Sequence, residues 1–218
     1  MEFVEKIIYI TELIGVCAFA LSGAFVAIKN EMDIFGVCVL GCVTALGGGV
    51  LRDTMIGNVP PMMFRNYIYI VLAISTCVIV FAADYFLGNK VNVDNEAFAK
   101  TFNFCDALGL GIFTVIGMNT AMNTVEHTNW LLVIFVGVVT GIGGGIIRDI
   151  MADRMPEVLY KKVYAQASLA GAVVYYLLYL SGAGYAIDIF AAIIVTVTIR
   201  VLSAKYGWSL PKSGRRKQ

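Results

Sequence analysis

The sequence predicts an all-α integral membrane protein of seven transmembrane helices, arranged as an inverted three-plus-three repeat with one helix added. Three observations lead there. The 218 residues are 59% hydrophobic and only 14% charged, with mean hydropathy +0.81, too little polar surface for a soluble domain of this size. The apolar residues gather in long blocks, each near the ~20 residues that cross ~30 Å of hydrocarbon. And ALGGGVLRDTM at 45–55 returns almost word for word as GIGGGIIRDIM at 141–151.

The blocks follow in order. Ile7–Ile28 has Lys6 as its only early cation and carries Glu12, so it lacks the basic start of a signal peptide and reads as a retained helix. Ile34–Met55 holds the first glycine triplet, with Pro60 and Pro61 stopping it. Tyr67–Leu87 is the third span, and the polar connector 88–101 leads to the fourth, Phe102–Met122. A short loop with the single histidine, His127, precedes Trp130–Ile150, which holds the second triplet and is followed by Pro156. Val163–Leu180 and Tyr185–Val201 complete the set. Tyr175, Tyr176 and Tyr179, with Trp130 and Trp208, read as an interfacial aromatic belt. The expected organisation is one membrane domain, 1–203, with repeat one at 7–87, repeat two at 102–180 and a seventh helix at 185–203. A basic cytoplasmic tail, 204–218, ends it.

Lysines and arginines set the orientation. Seven spans put twelve of them on the C-terminal side, Arg200 among them, and two, Lys6 and Arg65, on the other, so the C-terminus is expected in the cytoplasm and the N-terminus outside. The five cysteines lie in or beside apolar spans without metal or disulfide spacing, and read as small buried hydrophobes. No Ser/His/Asp set, metal spacing or phosphate loop is present, so neither an enzyme nor a cofactor is expected, and no nucleic-acid partner.

The repeat extends well beyond the triplets. Gly47 to Gly143 is an offset of 96, at which Thr44, Gly48, Gly49, Arg52, Asp53 and Pro60 match Thr140, Gly144, Gly145, Arg148, Asp149 and Pro156. Upstream, at an offset of 94, Glu12, Gly15, Phe19 and Gly23 face Asp106, Gly109, Phe113 and Gly117. Three spans are an odd number, so the second unit enters from the opposite side. Inverted repeats place binding sites and pathways near the midplane, on discontinuous helices in equivalent positions.

Three glycines in a row weaken a helix by about 1 kcal/mol each relative to alanine. A kink at Gly47–Gly49 and Gly143–Gly145 is therefore expected, freeing carbonyls that, with the hydroxyls of Thr44 and Thr140, could replace part of a cation's hydration shell. The following half-helices would turn positive dipole ends to the same place, which suits a carboxylate. The competing reading is packing, since Gly137, Gly141 and Gly145 form a small-residue ladder. Charges inside spans cost at least ~2.5 kcal/mol each if exposed to lipid. Equal depth predicts Glu12 near Arg52 and Asp106 near Arg148, with Asp53 and Asp149 about 100° around the helix, placed to cap, to face headgroups or to line a vestibule.

The paired GGGVLRD and GGGIIRD, with the starts ITELIGVCAFALSG and FCDALGLGIFTVIG, resemble the prokaryotic TRIC (trimeric intracellular cation) channels across about residues 5–203. The same family also carries the label of a glycine-transporter domain. The resemblance implies a homotrimer with one pore per protomer, passing monovalent cations, chiefly potassium and some sodium, beside kinked helices two and five. Carried over by position, the pore residues would be Thr44, Gly47, Gly48, Gly49, Arg52, Asp53, Thr140, Gly143, Gly144, Gly145, Arg148 and Asp149, with Glu12 and Asp106 as buried charge partners. No fixed metal is implied, only passing potassium, and membrane lipid is the surrounding partner. The basic-acidic-apolar motif of animal relatives is absent, and the two arginines must be neutralised by carboxylates or act as gates. The alternatives are a secondary transporter of a small amino acid such as glycine, its amine held by Glu12 or Asp106, and a scaffold whose glycines only pack helices.

Overall fold

The structure, a computed structural model, describes residues 2–86, 96–160 and 163–208. Nine α-helices and no strand lie among them: α1 Glu2–Lys29, α2 Ile34–Met55, α3 Met62–Arg65, α4 Ile68–Phe86, α5 Glu96–Thr124, α6 Trp130–Met151, α7 Glu157–Tyr160, α8 Ala165–Ser181 and α9 Tyr185–Tyr206. The seven expected spans correspond to the long helices, and two short helices, α3 and α7, lie between them. Six of the helices are long and apolar enough to cross a membrane; α8, at 17 residues, is shorter and reaches only ~26 Å.

Local chemistry sets the boundaries. Asp33 caps α2, its side chain accepting from the Gly36 amide at 2.7 Å, and Asn129 caps α6 in the same way, from Leu132 at 2.8 Å. Each such cap is worth about 1 kcal/mol. The two stand 96 residues apart, the offset of the glycine triplets. Gly182 and Gly207 end α8 and α9 in the left-handed conformation, at φ +69° and +70°, where a Cβ would be strained.

The expected connector over 88–101 is shorter than its polarity suggested. Residues 96–101 are the first turns of α5, held by an exposed Glu96–Lys100 pair one turn apart (2.8 Å) and by Thr101 bonding back to Ala97; residues 87–95 lie outside the described residues. So does the tail from residue 209 onward.

α1, α2, α5 and α6 form the centre: α1 packs on α2 and α5, α5 on α6, and α2 on α6. α4 closes the first unit against α1 and α2, while α8 and α9 pack together on the second. One apolar cluster, with Phe19, Leu40 and Cys77, fills the first unit. Another, with Ile112, Met118, Tyr175 and Ile189, fills the second. Tyr175 is thus buried in the core rather than in the aromatic belt, whereas Tyr179, Trp130 and Trp208 are exposed.

The glycine triplets do not break their helices. α2 and α6 run without interruption through Gly47–Gly49 and Gly143–Gly145, so the expected half-helix ends with freed carbonyls are absent. The reason is where the glycines lie. A Cβ on Gly48 would fall onto the Thr140 carbonyl, and one on Gly144 onto the Thr44 carbonyl. The middle glycine of each triplet lets the two backbones meet, and the propensity cost is offset by a close helix–helix contact.

Candidate functional site: two buried arginine–aspartate centres

α2 and α6 cross at the triplets, where Gly47 faces Ile147 and Gly143 faces Leu51. Around this crossing the two units mirror each other. Thr44 and Thr140 each donate back to their own helix, to the Leu40 and Val136 carbonyls at 2.6 Å. Their hydroxyls abut Gly23 of α1 and Gly117 of α5, so both threonines pack against the sister helix of their own unit. Phe19 stacks on Phe113, centroids 5.2 Å apart, and Phe19 fills the space a side chain on Gly109 would need. Phe19 and Phe113 thus form an apolar plug in the middle of the bundle.

Charge lies on either side of this plug. In the first centre, Arg52 of α2 is 2% exposed and donates through Nε to Asp53 at 2.8 Å. The other carboxylate oxygen of Asp53 accepts from the Met62 amide at 2.8 Å, so Asp53 ties the end of α2 to the start of α3. Glu12 accepts from the Tyr69 hydroxyl of α4 at 2.7 Å. It shares a small cavity, about 20 Å³, with Arg52, Asp53 and Tyr69, but among the described residues no ion pair joins it to Arg52. Glu12 thus lies near Arg52, as expected, but Tyr69 binds its carboxylate and the adjacent Asp53 takes the guanidinium.

In the second centre, Arg148 of α6 and Asp106 of α5 are fully buried and meet at 2.6 Å, as equal depth predicts. Arg148 also donates to Asp149 at 2.9 Å and to Ser22 of α1 at 2.5 Å, and its guanidinium lies 5.3 Å from the Phe102 ring centroid. Asp149 repeats the role of Asp53: its outer oxygen accepts from the Glu157 amide at 2.9 Å, at the start of α7. Of the roles left open for these aspartates, both cap the short following helix, and both also line a cavity. A cavity of about 200 Å³, lined by Lys29, Phe98, Phe102, Asp149, Arg154 and Glu157 among others, opens beside this centre.

Several partners were hidden from the sequence reading. Ser22, Tyr69 and Tyr164 lie in apolar runs with nothing to mark them. Arg200 was counted with the flanking cations, yet it is 3% exposed on α9. It contacts Glu157 at 3.2 Å and Asp106 at 3.8 Å, with its guanidinium 4.4 Å over the Tyr164 ring. Burial of two arginines is tolerable only where carboxylates and further donors surround them, and here Asp106, Asp149 and Glu157 do. The two centres sit about 15 Å apart along α1, the rise from Glu12 to Ser22. Among the described residues no group of three or more His, Cys, Asp or Glu could hold a metal ion.

An all-helical bundle with six long apolar helices, carrying two buried charge centres at equivalent places of a repeated sequence, defines a multi-pass membrane protein. A family model described as Glycine transporter matches twice, over residues 9–85 and 103–180. Among curated relatives, the UPF0126 membrane protein YvgT of Bacillus subtilis is 37% identical over 94% of this chain and 95% of its own. The UPF0126 inner membrane protein YadS of Escherichia coli K12 is 32% identical over 94% and 95%. A solved TRIC cation channel is 32% identical and covers 96% of this chain and 98% of its own at TM-score 0.81. The TRIC trimeric intracellular cation channel orthologue from Rhodobacter sphaeroides is 28% identical over 93% and 99%, at TM-score 0.82. The chain belongs to this TRIC channel family, the one whose family model carries the glycine-transporter description.

Proposed function

We propose that the protein is a homotrimeric cation channel of the inner membrane, permeable to potassium and to some sodium, with one pore in each protomer. The N-terminus lies outside, the C-terminus in the cytoplasm, and the two units cross the membrane in opposite senses. The pore runs beside α2 and α6, the second and fifth spans, at their crossing. Gly48 and Gly144 set its narrowest level, and the Arg52–Asp53 and Arg148–Asp149 centres stand at its two ends. The observation that carries this reading is the mirrored pair of centres, each beside a cavity, on either side of an apolar plug. Carboxylates neutralise each arginine, as a cation path requires. Likeness to solved cation channels over nearly the whole chain supports the same reading.

The test is a planar-bilayer recording of purified protein in symmetric potassium chloride, then under a potassium gradient. Discrete steps that reverse near the potassium potential are expected. Silence, with saturable glycine uptake into liposomes from the same preparation, would transfer the site to the transporter reading that the family model's description favours.

A further inference from the structure

We infer that Arg200 and Glu157 form an electrostatic control on the inner charge centre, supplied by α9, a helix with no counterpart in the repeat. The inference rests on the channel reading for its consequence, while its binding test does not need current.

The two centres are built alike except here. The first has Arg52 with Asp53 and Glu12, and no second arginine among its described contacts. The second has Arg148 with Asp106 and Asp149, and in addition Arg200, whose Nη2 stands between Glu157 at 3.2 Å and Asp106 at 3.8 Å. Glu157 holds Arg200 at hydrogen-bond distance, and Asp106 lies just beyond that range. The second oxygen of Asp106 is buried without a hydrogen-bond partner, while Arg148 and Ser22 both donate to the first. An orphaned carboxylate oxygen is costly and attracts whatever positive charge can reach it. Arg200 is the nearest cation not already bonded to it, and Glu157 competes with Asp106 for the same guanidinium. Glu157 and Asp149 also line the 200 Å³ cavity, so this competition takes place at the end of the compartment from which a cation would approach.

Arg200 is therefore a positioning residue for Asp106, and Glu157 is what holds Arg200 back. Lys29 and Arg154 line the same cavity as Asp149 and Glu157, so charge of both signs meets there and each side chain shifts the balance. Removing the arginine should deepen the cation well, and removing the glutamate charge should make it shallower. One charge roughly 10 Å away at an effective dielectric near ~20 changes occupancy on the order of tenfold.

The experiment measures the melting temperature of the full-length, detergent-solubilised protein in potassium chloride against choline chloride at equal ionic strength, since a bound cation stabilises the folded state. Arg200→Gln should lower the potassium concentration giving half the shift about tenfold, and Glu157→Gln should raise it by a similar factor. The double variant, which restores the net charge while lacking the ion pair, should return close to wild type. Unitary potassium conductance in bilayers should follow the same order. A purely structural ion pair predicts that both single variants move in the same direction. That result overturns the inference, as does a potassium dependence that none of the three changes, or a wild type whose melting temperature ignores potassium. Opposite shifts in melting with no current in any protein would uphold the inference and sink the channel reading instead.

Discussion

At the scale of single residues, the energetics turn on Asp106 and Arg148. Both are fully buried, and a buried ion pair stabilises little against an apolar alternative, but breaking one side leaves an uncompensated charge. Asp106→Asn should therefore cost about 3 kcal/mol, the lower end of the range for a broken buried pair, because Asp149 still faces the guanidinium. Ser22→Ala, which removes only a neutral bridge between Arg148 and Asp106, should cost about 1–2 kcal/mol. Denaturant unfolding of the solubilised protein, followed by circular dichroism, gives the order, and equal losses in the two variants would contradict it. Asp106 and Arg148 could be paired from the sequence because depth along two helices is enough when nothing else competes. Glu12 and Arg52 could be brought near each other in the same way, but not given their direct partners. Their contacts depend on the rotation of α4, which brings Tyr69 to Glu12, and rotation is not written in an almost uniformly apolar segment. Arg200 was hidden for another reason. At the end of an apolar block it reads as a flanking cation, and only the packing of α9 on α5 turns it inward.

At the scale of the helix, the glycine triplets separate by position. Gly48 and Gly144 face backbone carbonyls across the crossing, and a methyl group there has nowhere to go. Gly49 has only the Arg52 guanidinium, at 3.9 Å, near its missing Cβ, and Gly47 has the flexible end of Ile147, at 3.0 Å. Gly49→Ala should thus stabilise the protein, by up to about 1 kcal/mol of helix propensity. Gly48→Ala and Gly144→Ala should push α2 and α6 apart, lowering the melting temperature and changing unitary conductance in the bilayer. Unfolding and single-channel recording on the three variants check this; a Gly48→Ala protein as stable as Gly49→Ala would remove the crossing from its central role. The sequence exposed the triplets as a repeated anomaly but not their purpose. A broken helix and a close contact demand the same residue, and only the partner helix distinguishes them. The element boundaries were easier to read. Pro60, Pro61 and Pro156 mark the stops, while the matched caps Asp33 and Asn129, an aspartate and an asparagine, carry the repeat in function without carrying it in residue type.

At the scale of the whole molecule, the duplication explains why charge is symmetric inside and asymmetric outside. Each unit keeps its Arg–Asp pair at the end of its second long helix, and each aspartate caps the short helix that follows. If the two units cross the membrane in opposite senses, as proposed, one shared motif serves both ends of the bundle. The flanking cations obey a different rule, because they are selected by the membrane side and not by the fold. With Arg200 withdrawn into the core, eleven of the twelve lysines and arginines assigned to the C-terminal side remain as flanking charge, still against two. This bias could be read directly from the sequence, since it needs only the order of spans and the positions of cations. It predicts the orientation in cells: a green fluorescent protein fused after Gln218 should fluoresce, and alkaline phosphatase fused at the same point should be inactive. The converse pair of signals would place the C-terminus outside. The Arg148–Arg200 centre would then face the exterior and the Glu12–Arg52 centre the cytoplasm, and the control proposed for Arg200 would act on cations entering from outside.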